Sequence, residues 1–248
     1  MTKSADLRNK FYKNYFKNQV SRLGGKDIHK KLNEDHLQLK NEIIPLLPAD
    51  KNIRILDIGC GYGGLLLLLQ KSGYKNTEGI DISEEQVKIA KELGLKNIKQ
   101  TDINAYLELN NDEFDVIVGI DIIEHFNKPE LISLLEKIKR SLIQNGGMAI
   151  FRTPNTDAPF GSTYYFGDYT HESFLNYSSA EQLFLSLGYQ QVRILPSYIR
   201  VKGLIKNFIR SFLWFFVVLA SKITLFASGK STKTVLLTPN LIILVHGA

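Results

Sequence analysis

Ile53-Arg54-Ile55-Leu56-Asp57-Ile58-Gly59-Cys60-Gly61-Tyr62-Gly63-Gly64 is the stretch that decides the fold. An apolar run ends in an acid and gives way to four glycines within six residues. Such a run predicts a buried strand, and the glycines predict a tight turn that brings the backbone close to a ligand before a helix begins. Downstream, short apolar runs alternate with helical periods. A helix near 63–72 is followed by Asn-Thr-Glu-Gly-Ile-Asp over 76–81, a helix at 83–93, and Asn-Ile-Lys-Gln-Thr-Asp over 97–102. Then come a strand at 114–121, a helix at 129–143 and a strand at 147–153. This rhythm predicts crossover units and a mostly parallel sheet with helices on both faces. Upstream, Ile28, Leu32, His36, Leu39, Ile43 and Leu47 recur at helical spacing until Pro48, which predicts a leading helix over 27–48.

Bulk properties set the class. The chain of 248 residues is long enough for one large α/β domain, and we read it as a single domain over 1–248 with a donor-binding core at 50–152. Hydrophobic residues at 44% and charged residues at 23% exclude wholesale disorder and a polytopic membrane protein. One cysteine, Cys60, excludes an internal disulfide, and residues 1–14 hold no apolar stretch, so the expected location is cytoplasmic. The 31 Lys and Arg against 25 Asp and Glu leave +6, which favours anionic partners without selecting one.

The glycines alone do not choose a cofactor. Gly59, Gly61 and Gly64 satisfy the dinucleotide spacing G-x-G-x-x-G, and Asp81 stands where that fingerprint expects its ribose acid. Asp57 argues otherwise. A carboxylate two residues before the first glycine repels a pyrophosphate and attracts the ammonium and sulfonium of S-adenosylmethionine. Asp81-Ile82 closes the second strand, where an acid can accept ribose hydroxyls. Asp102-Ile103 closes the third, pairing an acceptor for the adenine amine with an apolar contact. All three acids stand at carboxyl ends of strands, where open α/β sheets bind ligands.

With these residues the sequence resembles the class I S-adenosylmethionine-dependent methyltransferase superfamily. Ile55-Leu56-Asp57-Ile58-Gly59-Cys60-Gly61-Tyr62-Gly63-Gly64 is similar to its first motif, Gly79-Ile80-Asp81-Ile82-Ser83 to its second, and 115–126 to its fourth. The resemblance covers residues 50–195 and implies a Rossmann-like seven-stranded sheet with an antiparallel last strand, for which 234–245 is the candidate. It implies a donor site formed by Asp57, Gly59, Cys60, Gly61, Asp81, Ile82, Asp102, Ile103 and Asp121.

The acceptor side is read from 153–178, a Gly-, Pro- and aromatic-rich loop without either period, as expected of a binding loop or lid. Its Thr-Pro-Asn and Gly167-Asp168-Tyr169-Thr170-His171-Glu172 runs resemble bacterial methyltransferases of polysaccharide clusters. Arg152, Asn155, Tyr164, Tyr165, Asp168 and Tyr169 would then contact a sugar. A quinone or other small aromatic acceptor is the alternative, and a nonenzymatic, donor-binding partner protein a third reading. No nucleic-acid partner is expected, because the basic residues are dispersed. His171 is the expected general base, oriented by Asp168 or Glu172, with His125 and Asp121 as further catalytic candidates. Asp121-x-x-Glu124-His125 is also similar to the acidic run of metal-dependent methyltransferases, but Asp121 departs from the usual Glu, and without a fourth ligand no metal is assigned.

Residues 200–230 are apolar and basic. Lys202, Lys206 and Arg210 recur beside Phe208, Ile209, Phe212, Leu213 and Phe216, as in a helix lying in a membrane interface. A homodimer contact and a cap over the acceptor pocket are the alternatives for 203–227. A single membrane crossing is not expected if the strands on either side share a sheet.

Overall fold

A computed structural model describes residues 28–111, 113–144 and 146–247; residues 1–14, read above for a leader, lie outside them. The leading helix α1 (Ile28–Glu42) ends in a 3-10 turn (Ile44–Leu46) at Pro45. The sheet then alternates as the sequence implies: β1 (Arg54–Ile58), α2 (Gly64–Lys71), β2 (Asn76–Asp81), α3 (Glu84–Glu92), β3 (Ile98–Gln100), α4 (Ile103–Glu108) and β4 (Val116–Ile120). It continues through a 3-10 turn (Ile123–His125), α5 (Lys128–Ser141), β5 (Met148–Pro154), α6 (Gly161–Tyr165), α7 (Tyr177–Ser186), β6 (Gln190–Ser197), α8 (Leu204–Ala227) and β7 (Asn240–His246). The strand order is β3-β2-β1-β4-β5-β7-β6, parallel throughout except that β7 runs against both neighbours.

Side-chain alternation feeds two core layers. Leu56, Ile58, Ile117, Ala149, Phe151, Ile243 and Val245 face α5 and α7, while Ile55, Val116, Val118, Ile150, Ile242 and Leu244 face α1 and α2. Two-sided burial is why these strands read as continuous apolar runs. Helix starts are fixed by local chemistry: Asn127 and Glu130 form a capping box on α5, and Asn176 and Ser179 do the same for α7.

Three elements differ from the sequence reading, one being the short helix α6 inside the stretch read as a loop over 153–178. Helix α4 went unforeseen because six residues are too few to show a period; Asp102 caps it by accepting from Ala105 N at 3.0 Å. The last strand begins at Asn240 rather than 234. Asn155 Nδ2 takes the carbonyls of Leu236 and Thr238 at 2.6 and 2.8 Å, and Pro239 has no N–H to give the ladder.

Candidate active site

The carboxyl ends of β1, β2 and β4 frame two joined cavities. The first, of about 250 Å³, is lined by Asp57, the glycine loop, Asp121, Arg152 and, from α1, Lys31 and Asp35. The second, of about 110 Å³, is lined by Asp81, Ile82, Asp102, Ile103, His125 and Phe126. Gly59, Gln86 and Asp121 border both, so the two read as one groove. All nine residues expected at the donor site line it.

S-adenosylmethionine fits this groove on the chemistry of its walls. Asp57 is buried, and no side-chain or backbone donor among the described residues reaches its carboxylate. Burial pushes its pKa well up, and nearby Asp81 adds to the effect. A cationic ligand end in the first cavity would oppose that rise, whereas a pyrophosphate would add to it. Asp81 accepts from Gly61 N and Ser83 N, both at 2.8 Å, and so fixes the glycine turn while facing the second cavity.

The glycines separate in role. Gly63 caps α2 with φ +80°, and a Cβ there would overlap Leu95. Gly64 is helical and has room for a methyl group. The essential third glycine is therefore not the one the dinucleotide spacing selects, which removes that pattern's physical basis.

Helix α1 closes the groove from above, a role its periodicity did not reveal. Lys31 pairs with Asp35 at 2.5 Å, Tyr62 hydroxyl donates to Asp35, and His36 Nε2 lies 3.0 Å from Gly64 O. Opposite it, Asp121 adopts φ +51°, unusual for a residue with a side chain, and is gripped at both oxygens by the Arg152 guanidinium. Glu42 stands 3.7 Å from the same guanidinium. Arg152, expected at a sugar site, thus lines the first cavity with its guanidinium engaged by Asp121, and both Asp121 oxygens are taken up by that pair.

The stretch over 153–178 is pinned largely by its own polar groups. Tyr165 is buried, and its hydroxyl donates to Pro154 O at 2.5 Å. Asn155 is fully buried; its amide is committed to β7's approach and its Oδ1 accepts from Asp157 N at 3.1 Å. Neither side chain is available to a sugar, which corrects that expectation for both. Tyr164 and Tyr169 are exposed.

The histidines meet. His125 lines the second cavity, and its ring packs edge-on against His171 with centroids 4.8 Å apart. Asp168 accepts the Thr170 hydroxyl at 2.6 Å, so Thr170 offers only lone pairs to His125 Nδ1 at 2.9 Å, and that nitrogen carries the hydrogen. Burial and the neighbouring His171 lower the His125 pKa to about 4. His171 Nδ1 donates to Tyr165 O at 3.0 Å, which makes its Nε2 the proton-accepting atom. Asp168, one of the two acids expected to orient His171, therefore reaches His125 through Thr170, and a backbone carbonyl holds His171. Glu172 meets Glu124 O through its N–H at 2.8 Å. Glu124 is buried under Thr153, with its pKa raised by burial and by Asp121. One ligand atom each of Glu124, His125 and His171 lies within 4.8 Å of the others, a spacing that a divalent ion could bridge.

Residues 29–203 match the family of methyltransferase domains. The chain belongs to that family. Among curated relatives it is 30% identical over 138 residues to the mitochondrial ubiquinone biosynthesis O-methyltransferase of Candida albicans, covering 52% of this chain and 40% of that one. It is 27% identical to the ubiquinone biosynthesis O-methyltransferase of Hydrogenovibrio crunogenus, covering 60% and 67%. With the first relative, the match spans well under half of the relative's own length. Similar solved folds include an S-adenosylmethionine-dependent methyltransferase from Archaeoglobus fulgidus (TM-score 0.65, 19% identity, 86% of this chain and 93% of that one). Magnesium protoporphyrin IX methyltransferase from Synechocystis, solved with bound S-adenosylmethionine, gives 0.60 at 15% identity over 100% and 99%. The seven-stranded Rossmann-like fold is the methyltransferase fold.

Proposed function

We propose that the protein transfers the methyl group of S-adenosylmethionine to a hydroxyl of a quinol-like or other small aromatic acceptor. The observation that carries the donor assignment is the buried Asp57 carboxylate facing the first cavity beside the glycine turn. Support for an oxygen acceptor comes from the named O-methyltransferases among the relatives. The in-line displacement at the methyl carbon needs positioning, a proton acceptor and exclusion of water. Asp57, Asp81 and Asp121 with Arg152 hold the donor, α1 shields it, and His171 Nε2 takes the hydroxyl proton, its ring packed against His125 of the second cavity.

A sugar hydroxyl on a glycan, free or lipid-linked, is the second acceptor reading; it draws on the exposed tyrosines Tyr164 and Tyr169 beside Asp168. Labelled methyl transfer from S-adenosylmethionine to a catechol or a quinol, against a panel of sugar nucleotides and glycans, tests the choice. Product from the aromatic acceptors alone supports the proposal; product from sugars alone replaces it with the glycan reading. Prior treatment with a chelator, then return of magnesium or zinc, tests whether Glu124, His125 and His171 work through an ion.

A further inference from the structure

Helix α8 is 24 residues long, roughly 36 Å at 1.5 Å per residue, and none of its residues is buried. By length and composition it is apolar enough to cross a membrane. Topology sets it on a surface instead. Ser197 at the end of β6 pairs with Asn240 at the start of β7, so the chain leaves and re-enters at one sheet edge. If α8 crossed, residues 228–239 would have to return through hydrocarbon as irregular chain bearing Lys230 and Lys233, which lipid does not tolerate.

Its faces are sorted. Asn207, Trp214, Val218, Ser221 and Leu225 are half-buried or partly covered at helical spacing and turn toward the domain. The opposite face carries Phe208, Phe212, Phe216, Leu219, Ile223 and Phe226, all exposed. Lys206 and Arg210 flank that face on one side and Lys222 on the other. Between 199 and 239 the chain has seven basic residues, from Arg200 to Lys233, and no acid. The C-terminal half of α8 shares a cavity with Asp157 and Pro159, next to Phe160, which is 82% exposed. A face this apolar, on a segment whose charges are all cationic, matches lipid tails beneath anionic headgroups.

We propose that α8 docks the protein on an anionic lipid surface, its phenylalanines in the acyl boundary and its lysines and arginines at the phosphates. Helix α8 leaves β6 at the same carboxyl end of the sheet that holds the groove, so docking brings that end of the sheet toward lipid. An acceptor carried on a lipid tail would reach the site from there, a consequence that rests on the proposed O-methylation; the docking itself does not.

The test is co-sedimentation of the full chain with phosphatidylcholine vesicles, with and without phosphatidylglycerol. The wild type is expected to bind the anionic vesicles at low salt and to lose ~10-fold or more in partitioning for the Lys206→Glu, Arg210→Glu pair. Phe212→Glu with Phe216→Glu should abolish binding. Donor affinity measured on the same variants should not change, because α8 lines neither donor cavity; this shows that they fold. Absence of binding to anionic vesicles, or equal binding to neutral ones in any salt, overturns the proposal. A dimer in sedimentation equilibrium that the phenylalanine pair dissolves, without vesicle binding, would assign the face to a second copy. Failure of the wild type to bind S-adenosylmethionine would overturn the methyltransferase reading and leave the vesicle result standing.

Discussion

The half of the molecule up to β4 and the half from β5 onward are built from the same alternating elements, yet they present their chemistry differently. In the first half each acid expected to touch the donor stands at a strand's carboxyl end and faces a cavity. In the second half several expected ligands are consumed in folding: Asn155 and Tyr165 pin backbone, and Arg152 turns back to grip Asp121. Strand ends aim side chains by rule. A loop aims them only after its own donors and acceptors have been satisfied.

The largest expected effect tests whether the second half does chemistry. His171→Ala should lower turnover ~100-fold or more while donor affinity stays nearly unchanged. Should His125→Ala alone produce that loss, the base lies on the donor side of the pair and the comparison shifts by one residue. Next comes Asp81→Ala, which removes an acceptor from the donor cavity and loosens Gly61; calorimetry should show S-adenosylmethionine binding weaker by ~1.5–3 kcal/mol, roughly 10- to 150-fold. Unaltered affinity would mean the first half's acids serve the fold alone.

Asp57 sharpens the contrast further, since it should act against stability. Its folded pKa is raised, so the folded state holds its proton more tightly than the unfolded chain does. The associated stability is fully present below the ordinary carboxylate pKa and is lost as pH rises through the folded value. At neutral pH, Asp57→Asn should therefore raise the apo melting midpoint, by roughly 2–4 °C for each 1 kcal/mol gained, while weakening the donor. A lower midpoint would contradict a ligand role. The smallest effect belongs to Tyr165→Phe: about 0.5–1.5 kcal/mol less stable by denaturant titration, with turnover little altered, as befits a pin.

The same division explains what the sequence made legible. Strand and helix order and the glycine turn followed from period and glycine chemistry, because each signal is local, and the nine residues that the family resemblance implied for the donor site line the groove. Gly63, rather than Gly64, as the indispensable third glycine was hidden, since only the tertiary approach of Leu95 decides it. The cover formed by Lys31 and Asp35 of α1 carried no signal beyond helical spacing. The relay from Asp168 through Thr170 to His125 bridges 45 residues of chain, and nothing in the loop's composition distinguishes it from an acid orienting His171.

The proposed choice of a cationic donor rests on Asp57. Calorimetric titration of the wild type and Asp57→Asn with S-adenosylmethionine and with NAD, at several pH values, measures that selection. The wild type should bind S-adenosylmethionine and not NAD, with affinity falling toward acid pH at values where an ordinary carboxylate would still be ionised. Asp57→Asn should weaken the donor and flatten that pH dependence. NAD binding as tight as that of S-adenosylmethionine, or a donor affinity indifferent to Asp57→Asn, would contradict it.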